Sequence, residues 1–104
     1  MSPHALSLTP ASTALVTVEC QNGIIGLDGA LPDLAAAAAP IVPEIRRLAE
    51  AVRQAGGPVV HLTFVPALDN RSSNRRPVLF NTVLPAMGDW TLEHPAAQVL
   101  SEIG

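Results

Sequence analysis

The sequence has no lysine and only one cysteine, Cys20. A lone cysteine excludes an internal disulfide and fits a reducing compartment. The six basic residues are all arginine, in two groups: Arg46, Arg47 and Arg53, then Arg71, Arg75 and Arg76. Nine acidic residues outweigh them, for a net charge of −3. A nucleic-acid partner calls for a basic excess or a basic face, so none is expected. No run approaches the roughly 18 apolar residues of a membrane span. Met1 to Pro10 lacks the basic start and apolar core of a secretion signal. The expectation is a cytoplasmic chain with no membrane partner. Charge is sparse at 14%, but hydrophobic residues reach 48%, too many for a disordered chain. A length of 104 residues allows one small domain with a modest core.

Residues 1–13 read as a polar, proline-containing surface lead-in. Ala14 to Cys20 is a β-rich run, apolar on both alternating faces until its end. That pattern suits a strand of a parallel sheet covered on both sides. Asn22-Gly23, Gly26 and Gly29 then mark a loop. Asp33 is placed to cap a short alanine-rich turn that Pro40 interrupts. Pro43 suits the first turn of a longer helix, Pro43 to Ala55, with Ile45, Leu48, Ala49 and Val52 on one face. Gly56-Gly57 ends it, and Pro58 to Val65 reads as a second strand. Strand, helix, strand implies a parallel pair with a right-handed crossover. Pro66 to Trp90 reads mostly as loop, and Pro95 to Ile103 as a short helix. The domain reading is a single unit over 1–104, with a βαβ core at about 14–65 and a loop with a short helical tail at 66–104.

Ligands of open α/β sheets bind at the carboxyl ends of the strands. That directs attention to Glu19, Cys20 and Gln21. Strand alternation puts Glu19 and Gln21 on one face and Cys20 on the other, so Glu19 is badly placed to activate Cys20. Cys20 reads as a small buried hydrophobe. Glu19 has two readings: a carboxylate accepting hydrogen bonds from loop amides near Gly23, or a general base poised in a cleft. Gly23-x-x-Gly26-x-x-Gly29 has the wrong spacing for a dinucleotide fingerprint. His4, His61 and His94 share no metal-ligand spacing, and no metal or cofactor is expected. Asn70, Arg71 and Arg76 are candidates for holding an anionic substrate, against the plainer reading of a solvated surface loop.

The run Ala14-Leu15-Val16-Thr17-Val18-Glu19-Cys20-Gln21-Asn22 resembles the opening strand of isochorismatase-like hydrolases, a group that includes nicotinamidases and N-carbamoylsarcosine amidases. There an apolar strand ends in Asp, any residue, Gln, often followed by Asn. The likeness continues through Ile45 to Gly56, through Gly57-Pro58-Val59-Val60-His61, and into Pro95 to Ile103. It spans most of this chain but about half of a family domain. The resemblance implies a mostly parallel sheet with helices on both faces, a three-layer α/β/α arrangement. It implies a hydrolase in which a Cys thiolate attacks a carbonyl carbon, an Asp accepts and donates the proton, and a Lys favours the charged forms. Glu19 stands at the Asp position, one methylene longer. The Lys and the nucleophilic Cys have no counterpart here. The Asp-x-His that binds zinc in some nicotinamidases is replaced by Phe64-Val65-Pro66-Ala67-Leu68.

The expectation is therefore the N-terminal part of an isochorismatase-like hydrolase of small amides. Glu19 is its catalytic candidate, and Gln21, Asn70, Arg71 and Arg76 are its substrate-side candidates. A homo-oligomer is expected, because two strands and one helix leave an open sheet edge. The rival readings are a non-catalytic interaction module and a small nucleotide-binding βαβ protein.

Overall fold

The computed structural model describes residues 7–65 and 90–104. Two short strands, β1 (Leu15–Val18) and β2 (Val59–Leu62), pair in parallel, with Leu15 opposite Val59 and Val18 opposite Leu62. Between them lie the one-turn helix α1 (Asn22–Ile25), α2 (Pro32–Ala38), a 3-10 turn (Ala39–Ile41) and the long helix α3 (Val42–Gln54). This is an α/β unit with a small parallel sheet, as the sequence pattern implies.

α3 forms where the 3.6-residue apolar spacing predicts it. Pro43 lies in the first turn, where its missing N–H removes no helical bond. Ala49 is fully buried, and α3 packs against both strands. Glu50 accepts from Arg46, and Arg47 pairs with Glu44, both on the exposed side. The helix ends in a Schellman motif: Gly57 N–H donates to Val52 C=O and Gly56 N–H to Arg53 C=O. Gly56 has φ +82°, a conformation open to glycine at no steric cost.

Pro40 interrupts the alanine-rich helix as expected: α2 stops at Ala38, and Pro40 occupies a first-turn position of the 3-10 segment that links α2 to α3. Two expectations are corrected. Asp33 lies inside the first turn of α2, behind the cap residue Leu31. The tail is not a helix beyond one 3-10 turn, Pro95–Ala97. Gln98 is extended, and Val99 pairs antiparallel with Gln21.

The sheet has two unlike faces. Leu15, Thr17, Val59 and His61 are buried or half-buried, and Thr17 Oγ1 shares a 2.6 Å hydrogen bond with His61 Nδ1 across the strands. Val16, Val18, Val60 and Leu62 point the other way and are exposed, Val18 at 62%. Two small cores form beyond the sheet. One gathers Ile24, Trp90 and Ala97; the other gathers Cys20, Leu100 and Ile103. Both are built from the β1 exit and the C-terminal segment. Among the described residues no helix is long and apolar enough to cross a membrane.

Candidate functional site

The end of β1 is where the structure departs from simple strand alternation. Glu19 has φ +58°, the left-handed region, and is the one non-glycine in that region among the described residues. Its N–H still donates to Leu62 C=O at 2.8 Å, so it remains tied to the end of β2. The left-handed residue swings the chain off the strand path. Glu19 consequently stays exposed while Cys20 and Gln21 both turn inward. The expected sharing of one face by Glu19 and Gln21, with Cys20 opposite, is thus overturned, because the alternation stops at Val18.

Gln21 is 0% exposed, and its amide is spent on backbone. Its Nε2 donates to Phe64 C=O (3.0 Å) and Ala97 C=O (2.8 Å), and its Oε1 accepts from Phe64 N–H (2.7 Å). The two bonds to Phe64 reproduce what a peptide group of a neighbouring strand would make. The side chain thereby extends the β1–β2 pairing past the break at Glu19. The third bond draws in the C-terminal segment. Both amide hydrogens are used and no water reaches the site, so Gln21 braces three chain segments. Asn22 adds to the brace: its N–H donates to Gln98 C=O and its Nδ2 to Pro95 C=O, both at 2.9 Å.

Trp90, which the sequence reading passed over, closes this junction. It is buried, its ring stacked on His94 at 6.4 Å between centroids. It lies so close to Gly23 that a Cβ there would stand 2.2 Å from a ring carbon. The other loop glycines have a similar reason: a Cβ on Gly26 or Gly29 would collide with the carbonyls of Asn22 or Gly23. The glycine series is thus accounted for by close backbone packing. The one tryptophan of a chain is a burial signal legible in any sequence, but its partner is not.

Cys20 is buried beside Leu100 and Ile103, as expected of a small hydrophobe. Leu100 N–H donates to its carbonyl. His94 Nδ1 caps the 3-10 turn by accepting from Ala96 N–H, and His61 is engaged by Thr17. Among the described residues no group of three His, Cys, Asp or Glu is placed to hold a metal ion. His4, Asn70, Arg71 and Arg76 lie outside the described residues.

A cleft of about 680 Å³ opens beside the junction, between the 22–28 segment, the start of α3 and the C-terminal segment. Glu19 is not among its lining residues, so the expectation that this carboxylate faces a cleft is not met there.

The isochorismatase domain family matches residues 13–103 of the chain. That is most of its length, and the chain belongs to this family. No curated protein matches it.

Proposed function

We propose that the chain is the N-terminal portion of an isochorismatase-type cysteine hydrolase acting on a small amide or related substrate, with Glu19 as its proton-transferring carboxylate. The observation that carries this reading is the backbone of Glu19. The residue holds a left-handed conformation that a β-carbon makes unfavourable, at the carboxyl end of a parallel strand, where open α/β sheets bind ligands. Backbone strain of this kind clusters at functional sites. In the proposed reaction a thiolate attacks the amide carbon, the C–N bond breaks as the protonated carboxyl gives its proton to the departing nitrogen, and water then cleaves the thioester. Glu19 takes a proton from that water and is ready again. The nucleophile and the lysine come from outside these 104 residues, which contain no lysine and bury their one cysteine. Arginine is no substitute for the lysine, since it does not give up its proton. Asn70, Arg71 and Arg76 are proposed on the substrate side, Gln21 as support behind Glu19, and the 104 residues as one partial domain. The proposed setting is cytoplasmic, without nucleic-acid or membrane partners.

The test uses the product of the whole reading frame and a panel of small amides. Glu19→Gln and Glu19→Gly are each expected to lower kcat by about 10²–10⁴-fold, while Glu19→Asp retains turnover. Glu19→Gly is also expected to raise stability by about 0.5–1 kcal/mol, because glycine relieves the left-handed strain and loses part of the gain to chain entropy. Urea denaturation measures it. Full amide turnover by Glu19→Gln would end the catalytic reading, and a destabilised Glu19→Gly would end the strain argument.

A second reading rests on the exposed apolar face of Val16, Val18, Val60 and Leu62. In it the chain is a non-catalytic module that self-associates through this sheet. Light scattering across a dilution series separates the two, since a dilute monomer with amidase activity is incompatible with the module.

A further inference from the structure

A glutamate in the left-handed region is held there by its neighbours, because its β-carbon disfavours the conformation. On the near side one bond does this, from Glu19 N–H to Leu62 C=O. On the far side the anchors converge on one stretch of chain, residues 95–100. Cys20 C=O accepts from Leu100 N–H at 2.9 Å, and Asn22 N–H donates to Gln98 C=O at 2.9 Å. Between them, Gln21 Nε2 donates to Ala97 C=O at 2.8 Å, and Val99 lies opposite Gln21 as its antiparallel partner. The chain leaving β1 thus takes on an antiparallel neighbour just after Glu19, and residues 95–100 set its new direction. Two exposed side-chain bonds help to fix that stretch. Asn22 Nδ2 donates to Pro95 C=O at 2.9 Å, and Gln98 Nε2 donates to Leu92 C=O at 2.6 Å. An exposed bond adds little to stability, since water replaces it. It still selects one placement of the stretch among several, and a reacting group misplaced by about 1 Å can cost about 100-fold in rate.

We propose that Asn22 is a positioning residue for the proton transfer at Glu19. Its side-chain amide, bonded to Pro95, seats residues 95–100 across the β1 exit. That stretch keeps Glu19 left-handed and its carboxylate exposed beyond the end of the strand. The proposal rests on the reading of Glu19 as the proton-transferring carboxylate.

The test uses the product of the whole reading frame. Asn22→Asp keeps the shape and suits the first turn of a helix, but it turns a donor into an acceptor facing the Pro95 carbonyl. It is expected to lower kcat by about 10-fold to 100-fold, with KM and the urea midpoint unchanged. Gln98→Ala loosens the same stretch without touching β1, and is expected to act in the same direction by less. A second readout needs no substrate. The one-bond Cα–Hα coupling of Glu19, measured by NMR on isotope-labelled protein, differs between left-handed and extended backbone. It is expected to move toward the extended value in both variants. An unchanged coupling in Asn22→Asp overturns the proposal. So does a loss of kcat that only follows a loss of folded protein, or full turnover by Asn22→Asp where Glu19→Gln is inactive. Full turnover by Glu19→Gln ends the hydrolase reading instead, and the coupling then still decides whether Asn22 sets the backbone of Glu19.

Discussion

Gln21→Met is expected to lower the unfolding free energy by about 3–5 kcal/mol, the largest effect of any single side chain described above. Methionine keeps the length and bulk of glutamine, so packing changes little. What disappears is the amide, and with it three hydrogen bonds of 2.7–3.0 Å to Phe64 and Ala97 in a site with no exposure. A bond lost where water cannot replace it costs about 1–3 kcal/mol rather than the smaller net value of an exposed one. The loss is also cooperative, because the three bonds join the ends of β1 and β2 and the C-terminal segment. The midpoint of urea denaturation, followed by circular dichroism, measures it. A change below about 0.5 kcal/mol, the usual span of surface substitutions, would show that the brace is ornamental.

Gly23→Ala is expected to cost about 2–3 kcal/mol through overpacking. The added methyl would stand 2.2 Å from one Trp90 ring carbon, 2.3 Å from another and 2.8 Å from Ala96 Cβ. None of these is the free end of a flexible chain. The ring is buried and stacked on His94, so it yields only by opening the core it shares with Ile24 and Ala97. The emission of Trp90 is expected to shift to the red as the ring is pushed toward water. The discriminating measurement is the double variant with Trp90→Leu. If the ring is the obstacle, the two substitutions together destabilise less than the sum of their separate effects. Strict additivity would place the cost elsewhere.

Much of the framework is legible along the chain because local patterns set it. The apolar run before Glu19, the spacing from Ile45 to Val52, and the Gly56-Gly57 stop each depend on neighbours a few residues away. The site junction is different. Nothing in Val18-Glu19-Cys20 announces a left-handed residue, since glycine or asparagine would be the usual sign. The conformation comes from two ties at a distance, the bond from Glu19 N–H to Leu62 and the turning-in of Gln21. Gln21 has partners 43 and 76 residues away, and no periodicity encodes such a pairing. The same holds for Gly23 under Trp90: the glycine reads as a loop marker, and its role as the floor of a ring requires the fold. The tail departs from its local helical pattern for a related reason. Pro95 does start a turn, but Val99 is claimed by antiparallel pairing with Gln21 before a helix can propagate.

The burial of Cys20 under Leu100 and Ile103 makes its sulfur a timekeeper for the whole junction. The thiol meets solvent when the C-terminal segment lifts from the β1 exit, a movement that also breaks the bonds from Leu100 N–H to Cys20 C=O and from Gln21 to Ala97. A thiol reagent added to the folded chain therefore reacts at a rate set by the fraction of time that clasp stands open, multiplied by the intrinsic rate of an exposed thiol. Slow labelling signifies a segment that stays shut for many reagent encounters. Labelling as fast as in a denatured chain signifies a clasp that flickers. With a single thiol in the sequence, the decay of one signal maps onto one opening event, and the open fraction of the junction is read without any engineered probe.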